Sequence, residues 1–124
     1  MVTSVYEGGC HCGAVRFSVR VDKHEALACN CSICTKKGYL HLIVAKDRFT
    51  LLSGEDALET YSFGSGVAVH RFCRTCGIHP FYTPRSHPDC IDVNVHCLDG
   101  DARSRFCSVP FNGRDWDANV DSIR

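Results

Sequence analysis

Seven cysteines fall into three short groups, Cys10-His11-Cys12, Cys29-Asn30-Cys31-Ser32-Ile33-Cys34 and Cys73-Arg74-Thr75-Cys76-Gly77, and this grouping limits the possible folds more than any other feature. Disulfides do not favour it, because a disulfide needs Cα atoms about 4.4–6.8 Å apart with converging Cβ vectors, which near neighbours in sequence seldom provide. Zinc suits it better. Two thiolates, each about 2.3 Å from a tetrahedral zinc, lie roughly 3.8 Å from each other, so residues close in sequence can share one ion. On a strand, Cys10 and Cys12 point to the same side and can chelate together. Cys73 and Cys76, followed by a glycine free to take positive φ, form a zinc knuckle. The two pairs lie about sixty residues apart, so one four-cysteine zinc joining them would close most of the chain into a loop. Such a site is structural and contributes ~10–16 kcal/mol to folding in apparent terms.

The middle group carries different chemistry. Cys29, Cys31 and Cys34 supply three thiolates with no fourth cysteine nearby in sequence, which leaves an exchangeable position on a bound zinc. Three thiolates make the ion electron-rich and a weak activator of water. It is better suited to capture an external thiol as thiolate for attack on an electrophile. His41, His79, His96, Cys90 or Cys97 could instead close the site as a fourth ligand and turn it into a second structural staple.

Composition narrows the context. At 124 residues the chain is expected to form one domain, residues 1–124, with its core over about 5–116. Fourteen basic and fourteen acidic residues cancel, and no block of like charge marks a nucleic-acid or membrane-surface partner. No run of eighteen apolar residues suggests a membrane span. Met1–Glu7 has neither the basic start nor the apolar run of a signal peptide, so a cytoplasmic location is expected, where ten cysteines mean metal ligands rather than disulfides. Two zinc ions on seven thiolates would take the formal charge from zero to about −3.

Alternation of apolar and polar residues predicts a mainly β fold. Over 13–21, Val15, Phe17, Val19 and Val21 share one face; over 90–96, Ile91, Val93 and Val95 point inward. Further strands are expected over 39–45, 50–52, 59–63 and 67–73. Helix is expected only over 53–58, with a tight turn over 32–36, loops around the prolines of 80–90 and a loose tail after Trp116. Cys107 reads as a small buried hydrophobe, His24 and His70 as ordinary surface or strand residues, and Lys36 and Lys37 as solvated charges or anchors for a substrate carboxylate. The segment 77–88 either packs rigidly on the sheet or walls the three-cysteine site, with His79, Tyr82 and Arg85 offering polar groups to substrate.

The runs Gly9-Cys10-His11-Cys12-Gly13-Ala14-Val15-Arg16-Phe17, Cys29-Asn30-Cys31-Ser32-Ile33-Cys34-Thr35-Lys36 and Phe72-Cys73-Arg74-Thr75-Cys76-Gly77 resemble the glutathione-dependent formaldehyde-activating enzyme family, which includes centromere protein V. The resemblance implies a β-tent fold of small antiparallel sheets around two zinc ions. It implies that Cys10, Cys12, Cys73 and Cys76 hold a structural zinc and that Cys29, Cys31 and Cys34 hold an exchangeable, catalytic one. The implied activity is that of a carbon–sulfur lyase, the reversible joining of a glutathione-like thiol to an aldehyde such as formaldehyde. The alternative is a non-catalytic, zinc-stapled β domain that binds another protein.

Overall fold

Two sheets share one apolar layer. The computed structural model describes residues 3–123, and its first five strands are β1 (Ser4–Gly9), β2 (Arg16–Val21), β3 (Glu25–Cys29), β4 (His41–Ala45) and β5 (Phe49–Ser53). The later strands are β6 (Leu58–Tyr61), β7 (Val69–Cys73), β8 (Phe81–Thr83), β9 (Cys90–Asn94) and β10 (Cys107–Phe111). Two short helices, α1 (Ser32–Lys37) and α2 (Trp116–Asn119), interrupt them. A three-stranded sheet has the order β1-β2-β5, and a seven-stranded sheet the order β10-β3-β4-β9-β8-β7-β6. The fold is mainly β, as the alternation predicts. Among the described residues every strand pairing is antiparallel except that of β10 with β3.

The expected inward face of β2 forms the centre of the core. Val15, Phe17 and Val19 are completely buried, and Phe17 stacks on Phe49 at 5.5 Å, which in turn meets Phe81 of the larger sheet at 4.7 Å. Each such side chain contributes about 1.5–3 kcal/mol by leaving water. The same apolar face of the larger sheet includes Leu42, Val44 and Val93.

The opposite face of that sheet is also covered, which alters the reading of 90–96. Val93 and Val95 are buried as expected, but Asp92 and Asn94, which alternate with them, are buried too. The turn expected over 32–36 is the helix α1, while the helix expected over 53–58 shrinks to a single 3-10 turn, Glu55–Ala57, between two strands. β8 fits between Pro80 and Pro84 inside the expected loop. β10 holds Pro110, which is tolerated because β10 is a sheet edge. The tail after Trp116 is not loose: it folds as α2 and a 3-10 turn, and Val120 is buried. Cys107 is exposed rather than buried, and His70 is buried in β7. Among the described residues no helix is long and apolar enough to cross a membrane.

Candidate metal centres

Two turns build the first cysteine cluster. Cys10 follows β1 and Cys12 lies in the turn towards β2, so a turn rather than a strand brings these two together; the Gly13 amide donates to the Cys10 carbonyl at 3.3 Å. Cys73 ends β7 and Cys76 lies in the turn beyond it, where Gly77 takes φ +78° and its amide donates to the Cys73 carbonyl at 2.7 Å. Only glycine takes that conformation without strain. The four Sγ atoms lie within 4.8 Å of one another, with Cys10 and Cys12 at 3.6 Å and Cys12 and Cys73 at 3.7 Å. Those separations match the roughly 3.8 Å expected of thiolates on one tetrahedral ion. The Val15 amide donates to Cys10 Sγ at 3.3 Å. Burial raises the Cys76 thiol, but the Ile78 amide and the neighbouring thiols outweigh it and bring the group down to about 6. The donor set fits a closed metal site.

The second cluster sits where β3 gives way to α1. Cys29 ends the strand, Cys31 caps the helix by accepting the Cys34 amide at 3.4 Å, and Cys34 is buried in the first turn. The thiols of Cys29 and Cys34, with the amides of Cys34 and Ile33, hold Cys31 far below the usual thiol range, while the same crowding pushes Cys34 up. The three sulfurs therefore stabilise negative charge on one of them, as a cation-binding cluster should.

His41, the first residue of β4, brings a nitrogen to the same place. Its Nε2 lies 3.1 Å from Cys34 Sγ, and the donor atoms of Cys29, Cys34 and His41 all fall within 4.8 Å of one another. Its Nδ1 lies 2.6 Å from Asp92 Oδ2. Strand register explains the contact: Asp92 pairs with Ile43, two residues from His41, so both side chains share one face. Tyr82 pairs with Asp92 and His70 with Tyr82, extending a polar row across the sheet beneath α1.

A cavity of about 390 Å³ opens onto this cluster, with Cys29, Cys31, Cys34 and His41 in its wall together with Tyr82, Arg85, Arg114 and Trp116. That size suits a small organic ligand. The Arg85 guanidinium lies 3.3 Å from the centre of the Trp116 ring and 3.5 Å from the Asp117 carboxylate. Arg114 donates from Nε to the Asn30 carbonyl and from its amide to Asn30 Oδ1, both at 3.0 Å. The roof is Gly113, where a Cβ would stand 2.3 Å from Cys29 Sγ. Of the sequence candidates for substrate contact, Tyr82 and Arg85 face this cavity. Lys36 and His79 line an adjoining one, which shares Ser32, Ile33 and Phe63 with it.

Lys37 is not a free surface charge. Its Nζ donates to His70 Nδ1 at 2.8 Å and lies 4.7 Å from the Tyr82 ring centre and 5.0 Å from that of Tyr39. Burial lowers Lys37 to about 8 and His70 to about 4. Between pH 6.5 and 4 the unfolded chain therefore binds a proton at His70 that the folded chain refuses; this contribution to stability is complete above pH 6.5 and is lost as pH falls towards 4. Urea melts of the metal-loaded protein at pH 7.5 and 5 should show the wild type losing about 2 kcal/mol more than a His70→Gln variant. An equal loss in both would remove His70 from the account.

Sequence reasoning did not single out Asp92, Arg114, Trp116 or Gly113, and it left His41 as one of five possible closing ligands. Asp92 showed only as a polar residue in an alternating strand. Of the other four, His96 is exposed, His79 lines the adjoining cavity, Cys90 interacts with Asp89, and Cys97 donates to the His79 carbonyl.

The family model described as glutathione-dependent formaldehyde-activating enzyme matches residues 5–108. The crystal structure of a Rhodobacter sphaeroides protein, a structural-genomics target, superposes with a TM-score of 0.75 at 36% sequence identity, the match covering 84% of this chain and 97% of that one. Both cysteine clusters, His41 and Asp92 lie inside the span matched to the family. Gly113, Arg114 and Trp116, which roof the cavity, lie beyond it.

Proposed function

The chain belongs to the glutathione-dependent formaldehyde-activating enzyme family, and from that membership we propose that it is a zinc-dependent carbon–sulfur lyase joining a small, carboxylate-bearing thiol of the glutathione class reversibly to an aldehyde such as formaldehyde. The observation that carries this reading is the cavity that places Arg85 and Arg114 on the walls above Cys29, Cys31 and Cys34. Cys10, Cys12, Cys73 and Cys76 would hold one ion as a structural staple, and Cys29, Cys31 and Cys34 the second, reactive one. The second ion, when bound, supplies a soft cationic centre that lowers the pKa of a substrate thiol.

The residues of the chain do the rest. Arg85, braced by Trp116 and Asp117, and Arg114, braced by Asn30, present guanidinium groups to the carboxylates of the thiol. Phe63 and Trp116 give the cavity apolar walls that limit water at the reacting carbon. Lys36 and His79, on the adjoining cavity, lie where a longer thiol would extend. In the net reaction a carbon–sulfur bond forms, the S–H bond breaks and the aldehyde oxygen gains a proton.

The reaction also runs unaided in water, so the test is acceleration. Exchange NMR on glutathione and formaldehyde should show interconversion with S-hydroxymethylglutathione speeding up in proportion to zinc-loaded protein, and Cys31→Ser should abolish the effect. An Arg85→Ala/Arg114→Ala double variant should raise KM at least tenfold with kcat little changed, since each charge-assisted hydrogen bond contributes about 1.5–3 kcal/mol. No acceleration at millimolar thiol would defeat the proposal.

A further inference from the structure

We propose that His41, oriented by Asp92, is a fourth protein ligand of the Cys29/Cys31/Cys34 metal site and holds, at rest, the coordination position that a substrate thiol takes over. The second half rests on the thiol chemistry proposed above; the first does not.

Three observations carry the ligand assignment. Donor atoms of Cys29, Cys34 and His41 lie within 4.8 Å of one another, so three donors converge from one strand end, one helix turn and one adjacent strand, and Cys31 caps the same helix beside them. The ring is also aimed. Nδ1 lies 2.6 Å from the Asp92 carboxylate, which can only accept, so the proton sits on Nδ1 and the Nε2 lone pair faces the sulfurs. Metal-bound histidines commonly donate their second nitrogen to a carboxylate, which fixes the ring and raises its basicity. Third, Asp92 is 1% exposed and His41 6%, and a buried carboxylate is tolerated only where positive charge or strong donors offset it.

The 3.1 Å contact between Nε2 and Cys34 Sγ points the same way. In a metal-free cluster the Cys34 thiol donates to Nε2. Once Cys34 is a thiolate ligand that proton is gone, and a lone pair facing a thiolate at this distance is repulsive unless a cation lies between them or Nε2 acquires a proton. The competing arrangement is therefore an imidazolium hydrogen-bonded to both Asp92 and Cys34, which the experiment separates from ligation.

His41 and all three cysteines also line the cavity, so a ligand arriving there meets the same cluster. For a soft ion a thiolate is a better ligand than an imidazole. In the exchange a sulfur–metal bond forms, the nitrogen–metal bond breaks and the thiol proton passes to solvent. The ion would have four ligands before and after the exchange.

Cadmium-113 NMR of the full chain, loaded with two equivalents of cadmium and labelled with ¹⁵N-histidine, tests both halves without a mutation. Without added thiol, one of two cadmium resonances should be split by the Nε2 of a single histidine, assigned to His41; glutathione at millimolar concentration should remove that splitting and leave the other resonance unmoved. No histidine coupling, or coupling to a different histidine, overturns the ligand assignment. A His41 coupling that persists unchanged in glutathione supports the ligand assignment and overturns the exchange, while the thiol reaction stands or falls separately on the acceleration measurement. Asp92→Asn should weaken the second metal about 10–100-fold in chelator competition while leaving the first unchanged. Unchanged affinity for both would overturn the role given to Asp92.

Discussion

Cys73→Ser is expected to leave a chain that does not fold, whereas Cys31→Ser should fold and lose about one zinc per molecule. The difference follows from what each cluster ties together. Cys10, Cys12, Cys73 and Cys76 join the turn after β1 to the end of β7, connecting one strand from each sheet. A structural zinc of this kind contributes ~10–16 kcal/mol in apparent terms, as much as the whole stability of an ordinary domain, about 5–15 kcal/mol. Cys31, by contrast, caps a helix of six residues, and serine is itself a favoured cap that can accept the Cys34 amide. Metal content per chain and an amide NMR spectrum would decide the matter. Equal damage from the two variants would contradict the division into staple and reactive site.

Gly113→Ala should strip the second metal while sparing the first. The added Cβ would stand 2.3 Å from Cys29 Sγ and 3.1 Å from Cys31 Cβ, much closer than atoms in contact allow. Cys29 Sγ is one of the converging donor atoms, so it cannot rotate away without leaving the cluster. Either the segment carrying Arg114 and Trp116 lifts off the cavity or Cys29 stops binding. Overpacking of this kind costs about 1–3 kcal/mol, which in metal competition appears as a second site weaker by about fivefold to 150-fold. Retention of both metals at wild-type affinity would show that the roof yields freely and does not shape the site.

What the sequence revealed was what lies within a few residues. The strand through Phe17 was readable because one of its faces is fully apolar, and the cysteine pairs were readable because each lies within a single turn. β8 was not, since three residues between prolines carry too little pattern. β10 was hidden by Pro110, whose tolerance depends on its being an edge. The contact of His41 with Asp92 depends on how β4 and β9 are aligned, and no local spacing reports that register. Gly113 is informative only because it packs against Cys29, more than eighty residues earlier in the chain. Local chemistry therefore pointed to the cysteine clusters, and long-range pairing added the imidazole, the carboxylate and the roof.

The parallel pairing of β10 with β3 also imposes an order in time. β10 aligns Phe111 with Cys29, and the Asn30 amide donates to the Phe111 carbonyl, so the last strand fastens the segment that carries the three cysteines. During synthesis Cys107 follows Cys29 by roughly 4–16 s at 5–20 residues per second. For that interval the three-cysteine segment has emerged without the strand that fastens it. A metal taken up by this cluster would meet an open segment during translation and, afterwards, a site walled by Gly113, Arg114 and Trp116.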